Sequence, residues 1–128
     1  GSLFHPSFSG VTMGLLHGAQ PDAFVVCHEP TRTTMRGVQH PLPSIQEVID
    51  LTIECGKLTN PAIKPVGISV NTQALGEEEA KSYLAGLEKE HGLPAPTWGI
   101  VPTLASKALH RPSAASIRPC DRLMVISG

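Results

Sequence analysis

The chain has 128 residues, enough for one domain with a core of its own. Hydrophobic residues make up 41% and charged residues 16%, which excludes an intrinsically disordered polypeptide. A net charge of -1 and an aromatic content of 4% argue against nucleic acid as a partner and against an anionic membrane surface.

In chain order, Ser9 stands where a helix N-cap would, an apolar segment follows, and Gly18 marks a stop. After a Pro21-Asp22 turn, AFVVC at residues 23–27 is a continuous apolar run that predicts a buried strand. SIQE at residues 44–47 is a capping box. It opens a helix whose Ile45, Val48, Ile49, Thr52 and Ile53 recur at helical spacing, and Asn60-Pro61 closes it. Val66, Ile68 and Val70 predict a second strand ending at Asn71. Glu77, Glu78 and Glu79 suit the first turn of a further helix. Ala80, Tyr83, Leu84 and Leu87 form its apolar stripe, Glu77 and Lys81 can pair on its wet face, and Gly92 with Pro94 ends it. TWGIV at residues 97–101 fits a third strand.

Helices alternating with apolar strands predict an α/β fold, a three-layer parallel sheet with flanking helices. Composition changes near Ser106. Residues 1–98 hold six Lys/Arg against ten Asp/Glu, whereas residues 99–128 hold four against one. The domain is therefore expected to span residues 1–105, with 106–128 a basic, solvated or disordered tail in which residues 123–126 could add a short strand. Cys27, Cys55 and Cys120 are odd in number and show no CxxC spacing. This predicts buried or neutral thiols in a reducing compartment, and neither a disulfide framework nor a structural zinc site. No apolar run reaches the roughly 20 residues of a membrane span and no signal peptide is visible, so a cytoplasmic protein is expected. The chain does not begin with Met and is read as a piece of a longer polypeptide.

In a parallel sheet the loops after the strands emerge on one edge, where ligands bind. CHEPTRTTMRG, residues 27–37, leaves the first strand there, and Asn71-Thr72 leaves the second. His28 and Glu29 are candidate acid–base groups, and Arg32 and Arg36 carry guanidinium forks suited to phosphate or carboxylate. A plainer reading has Glu29 pairing with an arginine to fasten the loop. Asn71 can read a base edge through its amide, or simply form an Asx turn. His5 lies in a loop able to touch a ligand, while His17 and His91 read as helix-end residues. Ser7, Ser9 and Thr12 lack the GxSxG elbow of a hydrolase. GxxxxGK[ST] and GxGxxG are absent as well, so a phosphate-cradling loop would lie outside this chain.

Three blocks together, GSLFHPSFSGVTMGLLHG, DAFVVCHEPTRTTMRG and VGISVNT, resemble the DgcN-type D-glutamate N-acetyltransferase family, once catalogued as a domain of unknown function. The resemblance covers residues 1–96 and ends after Pro96. It implies the second half of a P-loop NTPase-like domain, similar to dethiobiotin synthetase, with the phosphate loop and an N-terminal domain upstream. Gly1-Ser2-Leu3 would then continue a Walker-B-type strand. Asn71, with Thr72, resembles the strand-end position that reads adenine. His28, Arg32, Arg36 and Gly37 match an HxPxRxxxRG segment, and His5, Pro6 and Ser9 match an HPxxSG loop. The implied activity is acetyl transfer from acetyl-CoA to the amine of D-glutamate. His28 or Glu29 would take the amine proton, Arg32, Arg36, Gly37, Asn71 and Thr72 would hold cofactor, and His5 and Ser9 would contact substrate. The longer protein is expected to form a homo-oligomer, and the piece alone to be inactive. An ATP-dependent ligase or kinase using ATP with Mg, and a non-catalytic nucleotide- or CoA-binding module, are the alternatives.

Overall fold

The structure, a computed structural model, describes residues 1–97 and 122–128. Its elements run α1 (Ser9–Ala19), β1 (Ala23–His28), α2 (Ile45–Gly56), β2 (Lys64–Val70), α3 (Glu77–His91) and β3 (Leu123–Ser127). The strands form one sheet in the order β2-β1-β3, every pairing parallel. An α/β fold with flanking helices is thus what the alternating pattern produces. The strand allowed at residues 123–126 forms as β3. Of the strand expected at 97–101, Thr97 makes a parallel bridge to Val70, and the rest lies outside the described residues.

The first four residues of β1 are buried because the central strand of a sheet flanked by helices is covered on both faces. Its Val26 stands level with Ile68 on β2 and Ile126 on β3, an aliphatic row with almost no exposure. One step further the row becomes Ser69, Cys27 and Ser127. The sheet turns polar just before its carboxyl edge. β2 needs seven residues to match six on β1, because the register shifts between Phe24 and Val25 and leaves Val66 without a partner. Pro65, which lacks an N–H, sits beside this bulge, where a missing donor costs least.

The capping box of α2 is formed in full. Ser44 Oγ accepts from the Glu47 N–H at 3.1 Å, and Glu47 accepts from the Ser44 N–H at 2.7 Å. These bonds hold the Glu47 carboxyl below its usual range. Ile45, Val48, Ile49 and Thr52 are buried, but the helix stops at Gly56, before Asn60. A Cβ at Gly56 would lie 2.5 Å from Ile63 Cδ1, so the Ile63 side chain packs directly on the glycine and would have to shift for any larger residue. Asn60 instead ties that return down, donating to the Pro21 carbonyl at 3.0 Å and to Asp22 at 2.9 Å. In α3 the Glu77–Lys81 pair forms at 2.8 Å, and Gly92 closes the helix at φ 64°.

α1 departs from its expected ends. Ser9 is the first helical residue, and Phe8 holds the cap position without a side-chain bond. The His5 carbonyl already accepts from the N–H groups of Phe8 and Ser9, so the turn at residues 6–8 rolls into the helix and needs no hydroxyl. The helix also passes Gly18 and closes on Gln20, left-handed at φ 49°, whose N–H reaches the Leu16 carbonyl at 3.1 Å.

Candidate functional site

Because β1 and β2 run in step, their exits meet. The Asn71 N–H donates to the His28 carbonyl at 2.9 Å, one residue past the regular ladder. A cleft of about 580 Å³ opens at this edge, within the range of small-molecule sites. His5, His28, Glu29, Arg32, Arg36 and Asn71 all line it. Ser9, Gly37 and Thr72 do not.

The loop after β1 is built in two parts. Glu29 accepts the Arg32 N–H in a turn, and the two side chains form an ion pair at about one-third exposure. Residues 33–42 then fold back on themselves through a Thr34–Pro41 bridge and a Met35 N–H to His40 carbonyl bond of 2.8 Å. Met35 to Val38 is the turn at the tip, closed by a 3.4 Å bond, and its third residue, Gly37, has φ 78°. That sign of φ is what a type II turn demands there, so glycine serves the backbone. Arg36 precedes it, exposed, and makes no ion pair among the described residues. The cleft wall therefore carries two guanidinium groups against one carboxylate, and the surplus positive charge is on Arg36.

The two histidines of the cleft differ. His5 is buried, and its Nδ1 accepts from the Ser7 N–H at 3.1 Å. Its other nitrogen must then carry the proton, and Nε2 donates to the Arg36 carbonyl at 3.0 Å. Both nitrogens are spent on backbone, so His5 fastens the arginine turn to the N-terminal loop. His28 lies 2.9 Å from the Tyr83 hydroxyl through Nε2, with the two rings stacked at 12°. Its Nδ1 has no hydrogen-bond partner among the described residues and is not sealed from solvent. Burial lowers its pKa, a nearby His91 adds to this, and Glu29 opposes it. The imidazole is thus neutral at pH 7. Burial also raises the Tyr83 pKa, so its hydroxyl keeps its proton.

Asn71 is half committed. Its Oδ1 accepts from the Gln73 N–H at 3.2 Å, the Asx turn, which leaves its NH₂ for a ligand. Thr72 uses its carbonyl to close the next turn on Leu75. His17 donates to the Cys55 carbonyl at 2.8 Å at the end of α2, and His91 meets Gln46 at 3.2 Å.

Phe8, Cys27 and Met35 also line the cleft. None was singled out for it, since apolar residues and a thiol in a strand read as core. Burial pushes the Cys27 thiol up, so it is protonated and unreactive at pH 7. Tyr83 was read only as part of the stripe on α3. Among the described residues no cluster of His, Cys, Asp and Glu could hold a metal ion, and no helix is long and apolar enough to cross a membrane.

The chain is 57% identical over 96 residues to a D-glutamate N-acetyltransferase of Tritonibacter scottomollicae, and 50% identical over 95 residues to one of a Pseudoalteromonas species. These matches cover 74% and 73% of this chain but only 29% of each relative, so the chain spans under a third of their length. A family model described as "Domain of unknown function (DUF1611_C) P-loop domain" matches residues 1–98, taking in every element from α1 to α3 and the whole arginine loop, and the chain belongs to that family.

Proposed function

We propose that this chain forms part of an N-acetyltransferase that moves the acetyl group of acetyl-CoA onto the amine of D-glutamate or a similar acidic amino acid. The observation that carries the reading is the Arg36 guanidinium, without an ion pair among the described residues, lining one cleft with His28 and Glu29 in a chain whose relatives bear that name. The amine nitrogen attacks the thioester carbonyl, the C–N bond forms, the C–S bond breaks, and CoA leaves as its thiolate, which takes up the proton that the nitrogen sheds in becoming an amide. The ammonium of the free amino acid must first lose a proton, and His28 and Glu29 are the groups in reach of the cleft able to take it. Arg36, with Arg32, answers the carboxylates of the amino acid or the phosphates of CoA. The amide NH₂ of Asn71 is free to meet an adenine edge.

A nucleotide remains the second reading, favoured by the P-loop description of the family. ATP with Mg and acetyl-CoA share adenosine phosphate chemistry, so the same arginines would serve a ligase or kinase.

The test is a graft. At 57% identity the matched 96 residues can replace their counterpart in the Tritonibacter enzyme. Retained transfer from acetyl-CoA to D-glutamate, lost in Arg36→Ala, supports the reading. A graft that consumes ATP and ignores acetyl-CoA overturns it.

A further inference from the structure

His28 and Glu29 both offer the amine a proton acceptor, and the contact between α3 and β1 separates them. Tyr83 Oη and His28 Nε2 are 2.9 Å apart, and no other group of the described chain touches either nitrogen of that ring. A phenol is a stronger acid than an imidazole N–H, and an imidazole nitrogen is a stronger base than a phenol oxygen. The favourable direction of this bond is therefore from Tyr83 O–H to Nε2. A neutral ring that accepts at Nε2 must carry its proton at Nδ1, which has no hydrogen-bond partner among the described residues and belongs to a residue lining the cleft.

We infer that Tyr83 is a positioning residue that holds His28 as the neutral Nδ1–H tautomer, so that His28 enters the reaction as a hydrogen-bond donor and Glu29 as the proton acceptor. This rests on the acetyl-transfer reading for its chemistry, though not for the tautomer. A neutral N–H aimed at the thioester oxygen stabilises the negative charge that gathers there when the amine attacks. The amine proton passes to the Glu29 carboxylate, and the His28 ring neither gains nor loses one. Of the charges around the ring, Glu29 on the following loop favours the imidazolium, its partner Arg32 offsets part of that charge, and burial, with His91 on α3 beside Glu90, outweighs it and keeps the ring neutral.

The experiment has two parts. Long-range proton–nitrogen NMR of the 128-residue chain, labelled in histidine and held above the titration of its imidazoles, is expected to show His28 protonated at Nδ1. In Tyr83→Phe the signal should move toward the Nε2–H form that free histidine prefers. Protonation at Nε2 in the unaltered chain, or no change in the variant, overturns the inference whatever the graft does.

In an active graft, His28→Asn keeps an N–H donor near the place of Nδ1 but cannot act as a base. It should retain kcat within about tenfold, whereas Glu29→Gln should lose about 10²- to 10⁴-fold. Tyr83→Phe should lower kcat about three- to tenfold with KM unchanged. His28→Asn as inactive as His28→Ala would make the imidazole the base and overturn the assignment. An inactive graft with the Nδ1–H tautomer in place would defeat the acetyl-transfer reading and leave the role of Tyr83 standing.

Discussion

The N-terminal loop and the carboxyl end of β1 each bring a histidine to the same cleft, and the two are used in opposite ways. At His5 the backbone takes both nitrogens, one as acceptor and one as donor. At His28 a single hydroxyl takes one nitrogen, and the other has no hydrogen-bond partner among the described residues. A histidine in a cleft is a reagent only where bonding capacity is left over. By that measure His5 has both nitrogens committed to backbone, and His28 keeps one in hand.

The largest effect that would break this contrast concerns His5. Replacing it with alanine removes two hydrogen bonds from a buried ring and leaves backbone groups unmet. We expect a loss of about 2–4 kcal/mol in urea unfolding. A loss equal to that of His28→Ala would mean the two sites are not distinct. Next comes the arginine turn that His5 holds. Arg36→Ala should weaken an anionic ligand by about 1.5–3 kcal/mol in calorimetry on an active graft, the range of a charge-assisted bond. Arg32→Ala should cost less, since part of its charge already answers Glu29. An equal cost would show that the ligand displaces that pair.

Gly37→Ala tests the same turn from the backbone. Open space surrounds it, so the penalty is conformational alone, about 1–2 kcal/mol for a left-handed position. It should appear as lower stability together with weaker anion binding. The smallest effect is on pH. Burial holds the folded His28 pKa below its ordinary 6.5. Between the two values the unfolded chain binds more protons than the folded one, so stability increases with pH across that window. The contribution is complete above 6.5 and falls away as the solution is acidified. Urea midpoints compared between the unaltered chain and His28→Asn should converge at low pH, and parallel curves would count against a buried, neutral ring.

Much of this was legible in the residues. The capping box at Ser44, the apolar strands and the glycine stop at Gly92 act over a few neighbours, and local rules read them correctly. The meeting of His28 with Asn71 followed from one non-local inference, that the strands are parallel. What stayed hidden depends on contacts that spacing does not encode. Ser9 looked like a cap because the hydroxyl is visible in sequence, while the His5 carbonyl that replaces it is not. Tyr83 falls on the apolar stripe of α3, and periodicity cannot say that its hydroxyl end reaches a strand terminus. Gly37 matched a binding motif, yet its need is a backbone angle.

The unpaired Val66 has a consequence for how this chain tolerates changes in length. It is the surplus residue that lets strands of unequal count arrive together at the cleft. Deleting it would leave Pro65 and Gly67 facing Phe24 and Val25 as they do now, with the rim undisturbed. Deleting Ile68, only two places on, would either pull Asn71 one place into the ladder or close the bulge and set Gly67 in the buried row beside Val26, at the cost of an isoleucine side chain there. Between those neighbouring positions runs a boundary: on one side a lost residue costs only the bulge, and on the other it also empties a place in the core.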